Sequence, residues 1–233
     1  MIELILIGPR RQENLGAIAR VMKNFDFESL VLINPKCKIG ITAYKVAKHA
    51  EDVLKKSKIK DFSYLKKFDY LIGTTSRLGT DYNMPRSPIG PEQLAEKILK
   101  LDFKKLKIGI LIGREGDGLN NDEINLCDIL VTIPASKEYP TMNISHAVSI
   151  ILYELFKKIS VIKSNSHIGF ATGKDKEIIM DYINCVLDKM EFSTAEKRET
   201  QRKLWKRVFG KATLTKREAF AVMGFLRKLL NDK

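Results

Sequence analysis

Three segments of the 233-residue chain concentrate side chains able to hold a small ligand and act on it. The first is GPRRQENLGAIAR, residues 8–20, with Asn14, Gly16 and Arg20 spaced as N-x-G-x-x-x-R. Asn14 carries an amide that both donates and accepts, and it is placed to cap a helix starting there. Gly16 costs a helix about 1 kcal/mol relative to alanine, which implies close approach by another group. Arg20 carries a permanent charge that can hold a phosphate or a developing oxyanion. The second segment is LIGREGDGL, residues 111–119. Its glycines permit positive φ and let bare backbone N–H groups face a ligand. Gly113 is expected to lie against that ligand, so that a side chain there blocks binding. The third is IPASKEYPTMNISHAV, residues 133–148. Thr141 and Asn143 stand at the mouth of a helix whose first N–H groups lack partners. Taken singly, each segment also has a purely structural explanation: a cap, a tight turn, a cap.

Each segment follows an apolar run that reads as a strand, and loops at the carboxyl ends of strands are where open α/β sheets bind ligands. The runs are ELILIG (3–8), SLVLINP (29–35), DYLIGTT (69–75), KIGILIG (107–113) and DILVTIP (128–134). Between them, apolar residues recur at helical spacing over Asn14–Phe25, Thr42–Lys56, Pro91–Leu101 and Asn143–Phe156. The alternation predicts an α/β fold with a mainly parallel sheet over residues 1–160. No G-x-G-x-x-G follows the first strand, which argues against a dinucleotide-binding domain. Residues 161–173 lose periodicity and read as a linker. Residues 174–233 read as a small helical extension of three helices. Two of these open with Ser193-Thr194-Ala195-Glu196 and Thr215-Lys216-Arg217-Glu218, quartets that fit the capping box.

The formal net charge of +13 exceeds what a fold requires and suits a polyanionic partner, nucleic acid first and an anionic membrane surface second. Between Glu199 and Glu218 the basic residues run without an acidic one, and Arg202, Lys203, Lys206 and Arg207 read as a surface following an RNA backbone. No apolar run approaches the roughly 20 residues a membrane-spanning helix needs. The start of the chain reads as a strand, not a cleavable leader. Cys37, Cys127 and Cys185 are too scattered for a disulfide framework, and no histidine pairs at ligand spacing, so neither disulfide nor metal site is expected. A reduced, cytoplasmic protein is the expectation.

Taken together and in this order, the three segments resemble the SPOUT methyltransferases related to TrmH. The pattern is N-x-G-x-x-x-R, a strand running into G-x-E-x-x-G-L, and I-P followed by a hydroxyl residue and asparagine at a helix start. Thr141 stands where that family often has serine. The tail, KLWKRVFGKATLTKREAFAVMGFLRKLL, resembles that of the TrmJ branch, which methylates the ribose of anticodon-loop nucleotide 32 in tRNA. The resemblance implies a deep C-terminal trefoil knot, which no periodicity could propose. It implies S-adenosylmethionine as cofactor, held by Thr74, Thr75, Ser76, Ile112, Gly113, Glu115, Gly118, Ile133, Thr141 and Met142. It also implies a homodimer with tRNA across both subunits, met by Arg10, Arg11, Arg77, Arg86 and Arg114 as well as the extension. The catalytic residues carried over are Arg20, Asn14, Thr141 and Asn143, with Asn14 orienting Arg20. Competing expectations are base methylation or action on rRNA by the same fold, and a non-catalytic RNA-binding protein.

Overall fold

The computed structural model describes residues 1–76, 88–101, 105–159 and 169–231. Among them, β1 (Ile2–Ile7), β2 (Leu30–Ile33), β3 (Lys58–Lys60), β4 (Tyr70–Thr74), β5 (Ile108–Ile112) and β6 (Ile129–Val131) form one sheet in the order β3-β2-β1-β5-β4-β6. Every pairing is parallel. The central strands are near-continuous Ile, Leu and Val because both faces are covered. Leu4, Leu6, Leu30, Leu32, Ile110 and Ile112 pack under α1 (Gln12–Asn24), α4 (Pro91–Lys100) and α6 (Ile144–Ile159). Ile5, Ile7, Val31, Ile33 and Leu111 meet a 3-10 turn at Phe62–Lys67 and α5 (Asn121–Leu126).

The helix expected over Thr42–Lys56 is interrupted. Lys48 takes φ +54°, and the segment divides into α2 (Ile41–Ala47), a 3-10 turn and α3 (Glu51–Lys55). The group that approaches Gly16 is α2: a Cβ there would lie 2.3 Å from the Ala43 carbonyl oxygen and 2.8 Å from Val46 Cβ. The periodicity did not reveal β3, whose three residues are all exposed at the sheet edge. Nor did it reveal α5, only six residues long and nucleated by a capping box between Asn120 and Glu123.

The extension comprises α7 (Gly173–Lys189), α8 (Ala195–Ala212) and α9 (Lys216–Asn231), with its own core of Ile179, Ile183, Leu187, Met223 and Leu226. The stretch expected to be linker is ordered at its end. Ala171 is fully buried and its N–H donates to the Leu214 carbonyl (2.8 Å), while Thr172 caps α7. The Thr215–Glu218 box forms as expected. At α8 the cap lies one residue later than expected, on Thr194, whose hydroxyl accepts from Lys197 N–H.

The extension is fastened to the amino end of the sheet. Gly173 N–H donates to Asp69 Oδ1 (2.9 Å) and the Tyr70 hydroxyl to the Ala171 carbonyl (3.3 Å). Lys176 Nζ sits 3.5 Å above the Tyr70 ring and 3.1 Å from Asp128 Oδ1. Burial pushes the Lys176 ammonium below its ordinary pKa, against the pull of Asp128. No helix among the described residues is long and apolar enough to cross a membrane.

Candidate active site

At the opposite, carboxyl end of the strands lies a cleft of about 480 Å³, within the range of small-ligand sites. Its walls come from the ends of β4, β5 and β6, the glycine loop, the start of α1 and the approach to α6. Thr74, Thr75, Ser76, Ile112, Gly113, Glu115, Gly118, Ile133, Thr141 and Met142 all line it, as do Asn14 and Asn143.

Glu115 joins the three segments. Its carboxylate accepts from the N–H groups of Arg10 (2.9 Å) and Arg11 (3.3 Å) and from Asn14 Nδ2 (3.1 Å). Burial alone would raise the Glu115 pKa; the hydrogen bonds from Asn14 and the backbone win, and the carboxyl titrates below its ordinary value. Asn14 does not cap α1, as its type suggested. Arg11 occupies that position, and Asn14 lies inside the helix with 6% exposure. Its Oδ1 accepts from Asn143 Nδ2 (3.1 Å). Asn143 also holds the start of α6, its Oδ1 accepting from the Ser145 N–H and hydroxyl (both 2.8 Å). A chain of bonds therefore runs Glu115–Asn14–Asn143 along the cleft.

The glycine loop closes on itself through reciprocal backbone bonds between Arg114 and Gly118, with Gly116 and Gly118 at φ +88° and +70°. Gly113 is required for a reason other than the one expected. A Cβ there would stand 2.1 Å from the Gly118 carbonyl carbon and 2.3 Å from Leu119 N, so it clashes with the loop itself before it meets any ligand.

Several expected contacts lie elsewhere. Arg114 is half-buried and forms a bidentate pair with Glu123 (2.9 and 2.7 Å), which commits its guanidinium to α5 and not to an RNA surface. Arg10 pairs with Asp117 (2.8 Å), and both stay exposed at the rim. Arg11 lines the cleft through its position beside Glu115. Arg77 and Arg86 fall outside the described residues. Arg20 is exposed and is not part of the cleft wall. Six residues separate it from Asn14, about 240° around the helix, and the Asn14 amide is engaged by Glu115 and Asn143; Asn14 therefore does not orient Arg20. Arg202, Lys203, Lys206 and Arg207 lie on α8 and do not line this cleft. Ile124 and Val131 also line the cleft and were missed, because apolar residues of α5 and β6 read as core. Among the described residues no group of three or more His, Cys, Asp or Glu could hold a metal ion.

A doubly covered parallel sheet whose carboxyl-end loops close on one cleft defines an α/β ligand-binding enzyme fold, and the comparisons refine that class. The chain belongs to the SpoU methylase family: the model described as the SpoU rRNA methylase family matches residues 1–153. It is 40% identical over 226 residues to the tRNA (cytidine-2′-O-)-methyltransferase TrmJ of Methanocaldococcus jannaschii, covering 96% of this chain and 97% of that one. The Sulfolobus acidocaldarius protein of the same name is 32% identical over 230 residues, with 98% and 93% covered. The crystal structure of TrmJ from Z. mobilis ZM4 superposes with a TM-score of 0.71 at 25% identity, over 98% of this chain and 99% of that one. These similarities reach through the helical extension, which the family model does not cover.

Proposed function

We propose that this protein is an S-adenosylmethionine-dependent tRNA ribose 2′-O-methyltransferase that forms 2′-O-methylcytidine at anticodon-loop nucleotide 32. The observation that carries the reading is the convergence of three distant segments on one cleft, joined by Glu115, Asn14 and Asn143. The residues present fit the cofactor. The cleft is large enough, Ile112, Leu119 and Ile133 give it apolar walls, and Thr74, Thr75 and Ser76 add polar groups.

When bound, S-adenosylmethionine supplies an activated methyl group on a good leaving group. The protein's task is to orient the ribose hydroxyl and assist loss of its proton. Thr141 at the cleft rim and Asn143 at the start of α6 position the ribose. Arg20 binds the target phosphate and the developing alkoxide, because a guanidinium is protonated at working pH and makes a poor base. A phosphate oxygen or water then takes the proton. With Arg20 off the wall of its own cleft, it meets RNA from outside the cofactor pocket, in a homodimer with tRNA across both subunits. The reading includes the family's trefoil knot around the Gly113–Leu119 and Ile133–Asn143 loops, and a cytoplasmic location.

The test is to incubate unmodified tRNA transcripts with methyl-labelled cofactor and map the product by nucleoside mass spectrometry. A 2′-O-methyl at nucleotide 32 is expected; a methylated base, or a methyl confined to rRNA, would replace the reading. In Arg20→Ala, turnover should fall by about 10² or more while cofactor affinity stays within a few-fold. Near-parental turnover in the folded variant would remove Arg20 from the mechanism.

A further inference from the structure

One arginine ties the glycine loop to the helix that follows it. Gly113 and residues 115–119 border the cleft, and Arg114 lies between them. Its guanidinium makes three bonds. Nη1 donates to the Gly118 carbonyl (3.3 Å) and to Glu123 Oε2 (2.9 Å), and Nη2 donates to Glu123 Oε1 (2.7 Å). The Gly118 carbonyl also accepts the Arg114 N–H (3.1 Å). Backbone and side chain of a single residue therefore close the same loop.

Glu123 carries the tie onward. Its Oε2 accepts from the Asn120 N–H (2.8 Å) while Asn120 Oδ1 accepts from the Glu123 N–H (2.8 Å), the box that starts α5. A helix of six residues does not persist on its own hydrogen bonds. Ile124, next to Glu123, lines the cleft, so α5 is itself part of the wall. On another side, Gly8 turns at φ +55° just past β1, and a Cβ there would lie 3.3 Å from Arg114 Nε. The Arg114 side chain thus sits among three elements of the wall: the first segment, the glycine loop and α5. Glu123 is buried and Arg114 half-buried. Burial alone would raise the Glu123 pKa; the bonds from Arg114 and the Asn120 N–H prevail and lower it, and the bond to Glu123 raises that of Arg114 against burial. Removing either partner strands the other charge away from water.

We propose that Arg114 and Glu123 are positioning residues for the cofactor: their pair holds the glycine loop in its ligand-ready shape before the cofactor arrives. The inference rests on the reading of the cleft as the S-adenosylmethionine site. It requires a planar fork. Two carboxylate oxygens and a carbonyl must be met at once, which a guanidinium does and a lysine ammonium on its flexible stem does not. A ligand whose site is only fractionally in shape binds with its affinity reduced by that fraction. Loosening the loop therefore weakens cofactor binding. It leaves RNA binding alone, because both side chains are spent on each other and on the Gly118 carbonyl.

The test compares Arg114→Gln, Glu123→Gln, their double variant and the milder Arg114→Lys in the full chain. Binding of S-adenosylmethionine and S-adenosylhomocysteine is measured by calorimetry, beside Tm and turnover on unmodified tRNA. Each single variant should bind both probes about tenfold or more weakly, as for a loop in shape in about one molecule in ten. The double variant should lose little more than either single one, because the two side chains act as a unit. The cofactor KM should rise while kcat at saturating cofactor stays within a few-fold, and tRNA affinity without cofactor should be parental. Parental cofactor affinity in folded Arg114→Lys would overturn the proposal, as would additive losses in the double variant. A fall in Tm with parental cofactor affinity per folded molecule would also overturn it, leaving the pair a structural one. Weaker tRNA binding with a salt slope flattened by about 0.7–0.9 and unchanged cofactor affinity would return Arg114 to the RNA surface. A parent that binds neither probe ends the reading of the cleft and this inference with it; a parent that binds, with variants that bind equally, ends this inference alone.

Discussion

Glu115 shows how one cleft-lining side chain can matter through the bonds it makes within the protein. Its carboxylate fixes the backbone at Arg10 and Arg11 and the amide of Asn14. A glutamine would present an NH₂ group toward these donors, so Glu115→Gln should lower both Tm and cofactor affinity. The pH dependence has a definite sign. The folded pKa is depressed, so the stabilisation is complete above the unfolded value near about 4.3 and is lost as pH falls through the folded value. The Tm gap between parent and Glu115→Gln should therefore be full at neutral pH and shrink below about pH 4. A gap that stays constant down to pH 3 would show that the carboxylate charge plays no part. Asn14→Ala should cost about 1–3 kcal/mol, because it leaves polar groups of Glu115 and Asn143 short of a partner, measured by denaturant unfolding. Asn14, Glu115 and Asn143 were all legible in the sequence as polar groups of the three candidate segments. Their mutual bonds were not, because a helical asparagine near a helix start reads as a cap until its actual partners are seen.

At the scale of elements, glycines at three positions serve three different ends. Gly16 lets α1 lie against α2, and Gly16→Ala should force the helices apart at a cost of about 1–3 kcal/mol or more. Gly116 faces open space but sits at φ +88°, so Gly116→Ala should cost only the left-handed backbone penalty of about 1–2 kcal/mol. Gly113→Ala strikes the loop backbone and should abolish cofactor binding even where the protein stays folded. Calorimetry and melting curves on the three variants would separate these roles; equal losses in all three would refute the distinction. The long strands and helices were readable because a two-sided sheet and one-sided helices impose different apolar spacings. The edge strand β3 has a single isoleucine between two lysines, and α5 has too few turns for a period to emerge.

For the whole molecule, the extension is less separable than its composition suggested. Its first helix inserts Lys176 over Tyr70 and against Asp128, so a chain ending at Ile159 should lose Tm even though its sheet is intact. Cofactor affinity in that chain should remain within a few-fold, and tRNA affinity should fall. An unchanged Tm would mean that the docking surface contributes nothing to the sheet. The same long-range architecture governs when the active site can exist. Asn14 bonds to Glu115 across 101 positions and to Asn143 across 129. At a synthesis rate of about 5–20 residues per second, the first loop waits roughly 5–20 s for its carboxylate. Until then the N-terminal strand and helix are present, but the cleft is not. A nascent chain thus acquires its cofactor pocket only once Asn143 and the first turns of α6 have been made.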